Sequence, residues 1–598
     1  MPPLSPFGKN CLALAIAQTF SFQSTQAATI EVTSNLDDGT DGAECTLREA
    51  LQTTNTASAT GGCMVVGALG SNDTISFATP SEIIELSGTE LLITQDVEIN
   101  GDATTIDANN MSRVIKITGG NTRLNDLTIT GGTAIGGGGF YASGNNTTVS
   151  LNNSTVSGNS TTNFGGGIEA RGGASVNLSD SSVSSNSAAR GGGISATFSA
   201  TVTIYNSTLQ GCSANIYGGG IFALGGVVVT LINSTVSDSY AGTKGGGIFA
   251  YDTGATVTLN NSTVTGSSAR IRGGGVSADK NAIVTLNNST VSGSSASEGG
   301  GIYADASATV TLNNSAVSGN TARTMGGGIY ADGSAVVTLN NSTVSFGSAG
   351  VRGGGISAIA GATVTLYNST LQDSSANNYG GGMFSSGNRT TVTLNNSTVS
   401  GGSVNSRGAG IYADNGSTVT LNNSTVSGAS AAISGGGIFA GYRATVSLNN
   451  SIVAGNMAAA GAELGGNTLS SIIANSNNLF GHNGLSDADA FGGFNPGVND
   501  ITTTSDGTNA TTIASILDTT LKDNGGPTPT HALVAASPAV DAGNDMLCAA
   551  PPINNLDQRG DTRLRGAHCD IGSFEFIDES GFIVIPLPAN RVVIIPSG

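Results

Sequence analysis

The stretch "GGGIYADGSAVVTLNNSTVSFGSAGVR", residues 326–352, is one copy of a unit that recurs along most of this chain. Apolar and polar residues alternate within it in three short runs, "IYA", "VTL" and "TVS". Alternation with a period of two predicts β-strands that each bury one face. Clusters of glycine, aspartate and asparagine separate the runs, so the unit contains three short strands joined by turns.

The apolar residue after each glycine cluster fixes the register of the repeat, and we call it the register residue. The register residues are Phe140, Ile168, Ile194, Ile221, Ile248, Val276, Ile302, Ile329, Ile356, Met383, Ile411 and Ile438. Eleven intervals separate the first from the last, which gives a period of about 27 residues.

Three short strands cannot enclose a core alone, but they can when successive copies stack with like residue over like residue, about 4.8 Å apart. The repeat therefore predicts an all-β fold, a right-handed parallel β-helix. Parallel crossovers are almost always right-handed, and left-handed hexapeptide solenoids use shorter coils. The regular section should be a rod on the order of 50 Å long.

A second asparagine recurs at the turn that follows the "VTL" run, and each copy also contains an Asn-x-Ser/Thr sequon. These residues are Asn153, Asn206, Asn233, Asn261, Asn288, Asn314, Asn341, Asn368, Asn396, Asn423 and Asn450, with Asp180 in the remaining copy. Asparagine and aspartate tolerate left-handed backbone, and stacked amides form ladders. We interpret the sequon as turn chemistry rather than as a glycosylation signal.

The composition limits the partners that the chain can have. Its 89 glycines and 10% charged residues do not suit several helical or α/β cores. A formal net charge of -19, from 21 Lys and Arg against 40 Asp and Glu, argues against nucleic acid or an anionic membrane as a partner, since both need a basic surface. Calcium, or no charged partner, fits this balance better.

Residues 1–28 resemble a secretory signal peptide. Lys9 precedes the apolar run "CLALAIAQTF", and small residues follow in "STQAAT", with cleavage expected near Ala27 or Ala28. A disordered leader is the alternative interpretation. No other segment is apolar enough over about 18 residues to span a membrane as a helix.

Five cysteines follow this leader. Cys45 and Cys63 lie before the repeats, and Cys548 and Cys569 lie after them. In an exported protein this spacing favours two local disulfides, although it does not fix the connectivity. Cys212 takes a position that other copies fill with Asn or Ser, which favours a small buried residue over a reactive thiol.

The segment "ECTLREALQTTN", residues 44–55, predicts a short capping helix at the N-terminal end of the β-helix. Thr46 and Glu49 form a capping box, and Leu47, Ala50 and Leu51 follow at helical spacing. This helix would cover the open first coil within an N-terminal region, residues 29–132, whose coils are irregular.

Both ends of the chain carry motifs that resemble a known family. "ECTLREALQTTN" resembles the CSLREA motif of exported bacterial β-helix proteins, with Thr46 in place of serine. "DNGGPTPTHALVAASPAVDAGN" and "CDIGSFEF" resemble the choice-of-anchor Q domain, and the "GGGI" copies are similar to repeats of polymorphic outer membrane proteins. The resemblance implies a surface or secreted protein and transfers no catalytic residues.

The resemblance and the repeat together divide the chain. Regular repeats occupy residues 133–465, and a choice-of-anchor Q-like region occupies residues 466–577. In the tail, residues 578–598, the runs "FIVIPLP" and "RVVIIP" predict a terminal hairpin.

Asp279, Asp305 and Asp332 hold equivalent positions in three consecutive copies, so stacking would bring them about 4.8 Å apart. Three interpretations remain open for this line of carboxylates: calcium binding, acid catalysis and solvated turn residues. Basic residues recur just before the glycine clusters, but Arg272 and Asp279 would be about 20 Å apart if the intervening chain were extended. We therefore expect that they do not share a site.

The residue after each register residue points away from the core and is often aromatic. These aromatic residues are Phe222, Phe249, Tyr303, Tyr330, Phe384, Tyr412 and Phe439. On one face they would form a flat strip for a sugar or a partner surface. Mutual stacking within the sheet is the alternative, which β-propensity favours.

These features predict a monomeric, non-catalytic protein of the bacterial surface or exterior, adhesin-like or structural, with no cofactor apart from an optional calcium ion. A cell-surface glycan or protein is the expected partner. The alternative function is an extracellular polysaccharide lyase or hydrolase that acts on acidic glycans.

Overall fold

A computed structural model describes residues 27–37, 42–474, 476–577, 582–587 and 591–596. Most of the chain winds into one parallel β-helix in which each rung pairs with the rungs on both sides. The repeat quoted above contributes the strands Ile329–Ala331, Val336–Asn340, Thr343–Ser345 and Ser348–Ala349. The three strands expected per coil are present, and a fourth short strand follows them. Nearly all of the predicted leader, residues 1–26, lies outside the described residues.

The register residues begin the strands of a sheet that we call the Ile–Ala sheet. Its strands are Leu91–Ile93, Ile115–Ile117, Phe140–Ser143, Ile168–Arg171, Ile194–Thr197, Ile221–Leu224, Ile248–Tyr251, Val276–Asp279, Ile302–Ala304, Ile329–Ala331, Ile356–Ile359, Met383–Ser386, Ile411–Asp414, Ile438–Ala440 and Leu464–Gly466. Each register residue pairs with the next, as Ile329 does with Ile302 and Ile356, so the predicted register is confirmed.

The next two strands of every rung form the Val–Leu sheet. Its strands are Thr29–Val32, Val65–Val66, Asp73–Phe77, Ile83–Glu85, Val97–Asp107, Gly120–Thr130, Thr147–Asn152, Thr155–Ser157, Ser175–Ser179, Ser182–Ser184, Thr201–Tyr205, Thr208–Gln210, Val228–Ile232, Thr235–Ser237, Thr256–Asn260, Thr263–Thr265, Ile283–Asn287, Thr290–Ser292, Thr309–Asn313, Ala316–Ser318, Val336–Asn340, Thr343–Ser345, Thr363–Tyr367, Thr370–Gln372, Thr391–Asn395, Thr398–Ser400, Thr418–Asn422, Thr425–Ser427, Thr445–Asn449, Ile452–Val453, Ser471–Ala474, Leu479–Phe480 and Ile501–Thr502. The stack thus continues beyond residue 465, where the regular repeat was expected to end.

The fourth strand of each rung belongs to the Ser–Ala sheet. Its strands are Thr133–Gly136, Ser160–Phe164, Ser187–Arg190, Ser213–Tyr217, Tyr240–Ala241, Ser268–Ala269, Ser295–Glu298, Thr321–Met325, Ser348–Ala349, Ser375–Ala376, Ser403–Val404 and Ser430–Ala431. Several are only two residues long, which is too short for an alternating pattern to reveal.

The alternating apolar residues form the core as predicted. Ile329, Val337, Leu339 and Val344 are fully buried, and their equivalents build one hydrophobic cluster that runs from the first coils to the C-terminal end. Burial of a side chain of this size contributes roughly 1.5–3 kcal/mol, so each rung is stabilised mainly by its neighbours.

The glycine clusters are required by close backbone packing. Gly326 has a φ of +68°. A Cβ on Gly327 would lie 2.4 Å from the carbonyl oxygen of Gly354 and 2.4 Å from the nitrogen of Ser348. No side chain fits there, so only glycine lets the chain pass directly from the Ser–Ala sheet to the Ile–Ala sheet.

The asparagine turns have the predicted backbone, and their side-chain ladder lies mostly on the other asparagine of each pair. The second asparagines and Asp180 all have φ between 46° and 51°, which confirms the left-handed turn. The regular side-chain ladder lies instead on the first asparagine of each pair, where Asn340 Nδ2 donates to Asn313 Oδ1 at 2.8 Å. At the predicted second position, Asn153 Nδ2 donates to Asp126 and Asn206 Nδ2 donates to Asp180, so the predicted ladder is confirmed at these two steps, whereas more steps are bridged through the first position.

A helix covers the N-terminal end as expected. Helix α1, Leu47–Thr56, begins at a capping box formed by Thr46 and Glu49, and its apolar residues Leu47, Ala50 and Leu51 are buried. The predicted disulfide between Cys45 and Cys63 is present beside it.

A short helix ends the stack at the C-terminal end. Helix α2, Asp487–Phe491, accepts hydrogen bonds from the backbone of the last rung, Glu463 N to Ala490 O at 2.9 Å among them. Phe491 packs edge-on against Phe480, which closes the apolar core.

Residues 513–577 then fold back along the outside of the last rungs, and we call this segment the clamp. It contains the 3₁₀ turn Ile513–Ser515, helix α3, Asp545–Ala549, and the predicted disulfide between Cys548 and Cys569. Thr528 Oγ1 donates to Asn368 O at 2.8 Å, and Asn544 N donates to Asn450 Oδ1 at 2.9 Å. The clamp therefore spans four rungs of the Val–Leu sheet.

Cys212 forms no disulfide with any cysteine that the structure describes and is buried, and burial raises the pKa of its thiol to about 11. The strands Phe582–Leu587 and Arg591–Pro596 pair antiparallel, as the predicted hairpin requires. Within the described residues, no helix has the length and apolar character that a membrane crossing needs.

Candidate binding groove

Two columns of side chains face each other along one edge of the β-helix. The aromatic column is the set of residues that follow the register residues. The edge column is the set of stacked residues that precede the glycine clusters: Phe164, Arg190, Tyr217, Lys244, Arg272, Glu298, Met325, Arg352, Tyr379 and Arg407. The glycine cluster turns the chain between the two columns, so the edge column folds over the aromatic one. We call the space between them the groove.

The predicted aromatic residues lie on the floor of the groove rather than on an exposed flat strip. Phe222, Phe249, Tyr303, Tyr330, Phe384, Tyr412 and Phe439 are all 7% exposed or less. They point away from the inner core as expected, but edge-column side chains cover them. Their role in binding stays a prediction.

Neighbouring rings on this floor stack along the rod axis. Phe222 and Phe249 have centroids 5.9 Å apart, and Tyr412 and Phe439 have centroids 5.3 Å apart. Mutual stacking, the alternative interpretation of the pattern, therefore describes their geometry. Such pairs contribute about 0.5–1.5 kcal/mol beyond the burial of their area.

Cations of the edge column lie over these rings. The guanidinium of Arg272 is 4.9 Å from the Tyr303 centroid, and that of Arg407 is 5.5 Å from the Phe439 centroid. A cation over an aromatic face contributes about 0.5–2 kcal/mol. The groove thus combines apolar rings with positive charge in an otherwise acidic protein.

Two of the three predicted aspartates pair with edge-column cations. Lys244 Nζ lies 2.5 Å from Asp279 Oδ2, and an Arg272 Nη lies 3.5 Å from Asp305 Oδ2. The expectation that the basic residues stay apart from this acidic line was wrong. The chain turns sharply at the glycine cluster, so each cation contacts the carboxylate of the following rung.

The third aspartate and the neighbouring tyrosines have shifted pKa values. Burial, and then the Asp305 carboxylate, raise the pKa of Tyr303, whose hydroxyl donates to Asp305 Oδ2 at 2.9 Å. Burial also raises the pKa of Asp332. A catalytic tyrosinate needs the opposite shift, so Tyr303 is a poor general base.

Lys244 and Arg272 supply the positive charge that a calcium ion would otherwise bring to Asp279 and Asp305. Across the described parts of the chain, no three or more His, Cys, Asp or Glu side chains form a group suited to a metal ion. Calcium at Asp279, Asp305 and Asp332 stays a prediction, and a bound ion would have to displace existing ion pairs.

Sequence reasoning missed Glu169, which occupies the aromatic column. It is 3% exposed, and burial raises its pKa to about 7, although Arg171 and Arg113 oppose the shift. A carboxyl with this pKa is suited to proton transfer near neutral pH. The sequence did offer a signal for it, because Glu169 is an acidic residue at a position that other copies fill mostly with aromatic residues or serine.

The groove opens into a cavity of about 460 Å³ between Arg190 and Tyr251. Phe164, Tyr217 and Leu224 also line it. This volume is within the range of roughly 300–1,000 Å³ that is usual for small-ligand pockets. The pocket has an apolar floor and one central guanidinium.

The sequence matches the family model described as a right-handed β-helix region over residues 53–264, 219–375 and 300–505. These overlapping matches span more than half of the chain, so the protein belongs to the right-handed β-helix family, and the predicted handedness is confirmed. No curated protein matches the chain. The resemblances of the two end motifs to the CSLREA and choice-of-anchor Q families stay predictions.

Proposed function

We propose that this right-handed β-helix protein is a non-catalytic exported rod that is displayed at, or released from, a bacterial surface and acts through adhesion or envelope structure. The observation that carries the proposal is the pairing inside the groove. Asp279 and Asp305 are neutralised by Lys244 and Arg272, so two of the three carboxylates in the most prominent acidic line of the repeats act as structural ion pairs.

The two disulfides support export. Cys45–Cys63 lies beside the N-terminal cap and Cys548–Cys569 lies in the clamp, so one disulfide strengthens each end of the β-helix. Disulfides persist in oxidising compartments and on cell surfaces, and they are rare in the reducing cytosol. The end rung of a solenoid has a neighbouring rung on one side only, and a disulfide there restricts the unfolded chain.

The principal rival is a polysaccharide lyase or hydrolase that uses Asp279, Asp305 and Asp332. A hydrolase needs one protonated and one ionised carboxyl on opposite sides of the scissile bond. Asp332, with its raised pKa, fits the protonated role best. Asp305 fits the ionised role poorly because Tyr303 and Arg272 already bind its carboxylate.

The test measures whether the protein cleaves polysaccharides and whether it is retained on bacterial cells. Purified mature protein is incubated with a panel of acidic and neutral polysaccharides, with and without calcium, and new reducing or unsaturated ends are measured. Retention on bacterial cells is measured in parallel. We expect retention without turnover.

Asp305→Ala and Asp332→Ala are compared with Asp252→Ala, which removes an exposed carboxylate outside the cluster. Turnover that Asp305→Ala or Asp332→Ala abolishes and Asp252→Ala leaves intact would establish the rival enzyme.

A further inference from the structure

Two widely separated segments that contribute to the groove are nearly duplicate in sequence, in addition to sharing the 27-residue period. Residues 191–223, "GGGISATFSATVTIYNSTLQGCSANIYGGGIFA", and residues 353–385, "GGGISAIAGATVTLYNSTLQDSSANNYGGGMFS", are identical at 24 of 33 positions. An arginine, Arg190 or Arg352, immediately precedes each copy. The β-helix therefore repeats the same groove chemistry at two places along its length.

Each copy builds an arginine–aromatic cluster. The first cluster is Arg190, Tyr217, Phe222 and Phe249, and the second cluster is Arg352, Tyr379, Phe384 and Tyr412. The side chains of both clusters come from the edge column and the aromatic column of consecutive rungs.

Corresponding distances in the two clusters agree closely. The Tyr217–Phe249 centroids are 5.0 Å apart, and their counterparts Tyr379–Tyr412 are 4.7 Å apart. The arginine lies 5.9 Å from the tyrosine ring in the first cluster and 5.8 Å in the second. The two clusters thus share these distances, although Arg190 also lies over Phe164 whereas Arg352 also lies over Phe384.

Arg190 and Arg352 differ in their ionic contacts from the cations that lie between them in the edge column. Lys244 and Arg272 each contact a carboxylate. Arg190 and Arg352 form no ion pair with any residue that the structure describes, and Arg352 Nε is buried without a hydrogen-bond partner. A guanidinium held against rings without a carboxylate is available to an anionic ligand, which it binds through two parallel hydrogen bonds.

We propose that the two clusters are a matched pair of sites for a glycan polymer whose sugars carry carboxylates. Tyr217 and Tyr379, the partly exposed rings of the two clusters, supply an apolar surface for the face of a sugar, and the arginine binds its carboxylate. The cavity of about 460 Å³ at the first cluster is large enough for a sugar unit. This inference rests on the proposed binding function and specifies the ligand.

The spacing between the clusters predicts bivalent binding. Six pairing steps separate Arg190 from Arg352 in the edge column, which is about 29 Å at 4.8 Å per rung. The β-helix is rigid along its axis, so a polymer that spans this distance engages both clusters at once. Linked binding of this kind exceeds single-site affinity by about 10²- to 10⁴-fold.

The experiment uses the full chain and calcium-free alginate, a polymer of uronate sugars, as the probe. Binding of the polymer is compared with binding of alginate fragments shorter than the cluster spacing, of uncharged dextran and of a sulfated glycan. We expect alginate polymer to bind at least about 10²-fold more tightly than the fragments. Dextran should bind far more weakly than alginate.

Arg190→Gln and Arg352→Gln should each reduce polymer affinity to the level of the fragments, and the double variant should lose binding. Arg270→Gln removes an equal charge at an exposed position outside both clusters and should change nothing. Leu224→Trp fills the first cavity without altering an arginine and should reproduce the effect of Arg190→Gln. Circular dichroism verifies that each variant is folded.

Polymer affinity that survives both arginine substitutions would overturn the proposed sites, and equal affinity for polymer and fragments would overturn bivalency. Equal or tighter binding of dextran or the sulfated glycan would overturn the carboxylate assignment. Absence of alginate binding by a protein that is still retained on cells would overturn this inference alone. Turnover of a polysaccharide would instead overturn the proposed function.

Discussion

One turn sequence is exposed in the middle of the β-helix and buried near its C-terminal end. Asn261, in "LNNSTVTG", is exposed, whereas Asn423, in "LNNSTVSG", is fully buried. Their φ angles are 49° and 47°. The backbone of the turn is therefore set locally, and its environment is set by the clamp, which covers only the last rungs.

The comparison also separates two kinds of stabilisation. Exposed rungs depend on the columns of Val, Leu and Ile inside the β-helix, which recur in every repeat with few substitutions. Clamped rungs carry in addition a polar interface, in which Thr398 Oγ1 donates to Gln558 Oε1 at 2.6 Å and Arg563 binds the Asn396 side chain at 3.0 Å. Buried polar contacts stabilise only while each partner is present, so the clamp is the part most sensitive to single substitutions.

The largest effect is expected from Arg563→Ala. The Arg563 side chain is fully buried, lies 3.4 Å from Glu575 and donates to three backbone carbonyl oxygens. Its removal leaves Glu575 buried without its cation, which costs about 3–5 kcal/mol. Hydrogen exchange should show loss of protection across residues 513–577 while the exposed rungs stay protected.

Arg323→Ala is the control for Arg563→Ala, because Arg323 is exposed and its loss should change stability by less than about 0.5 kcal/mol. Unchanged protection of the clamp in Arg563→Ala would show that the clamp does not depend on this buried ion pair.

An intermediate effect is expected from a matched pair of threonine substitutions. Thr398 and Thr235 occupy the same column of the Val–Leu sheet, but only Thr398 contacts the clamp. Thr398→Val leaves the Oε1 atom of Gln558 without a donor in a buried site, although its Nε2 keeps its own bonds, and should cost about 1–3 kcal/mol. Thr235→Val should stay within about 0.5 kcal/mol, and equal shifts in denaturant midpoint would refute the distinction between the two regions.

The smallest effect is expected from the pH dependence of His531. Its Nε2 lies 2.9 Å from Ser400 Oγ, and burial lowers its pKa below the ordinary 6.5, although Asp518 and Asp373 oppose the shift. Because the folded pKa is lower than the unfolded one, this stabilisation is complete above about pH 6.5 and is lost as the pH falls.

The measurement compares clamp opening in the natural protein and in His531→Gln between pH 8 and pH 5. Burial raises the pKa of Asp570 to about 7, so this group favours the folded clamp at low pH. Its contribution is the same in both proteins and cancels in the difference. The natural protein should lose stability relative to His531→Gln as the pH falls, and parallel pH profiles would contradict the role of His531.

The repeat was predictable in detail because each of its features is local. The register of Ile329 and Ile356, the left-handed turn at Asn341 and the capping box at Thr46 each follow from a few neighbouring residues and were confirmed. The asparagine ladder was assigned to the second residue of each pair, where it occurs at two steps, whereas the first residue carries most of it.

The candidate site was predicted only in part. The aromatic column was identified correctly as a line of residues on the outer face of the Ile–Ala sheet, but its burial was not. The contact between Arg272 and Asp305 was missed because distance along one rung does not measure distance between rungs. The same limit concealed Glu169, whose raised pKa comes from the packing that surrounds it.

The sequence by itself determined the period, the strand faces, the left-handed turns and the pairing of neighbouring rungs, because a parallel β-helix joins equivalent residues of adjacent repeats. Only the tertiary structure decided which of these repeated surfaces are covered. The clamp brings Arg563 to Asn396 across more than 160 residues, and the glycine turns fold the edge column over the aromatic rings. Contacts between segments that share no repeat carry no periodic signal, so they appear only once the chain has folded.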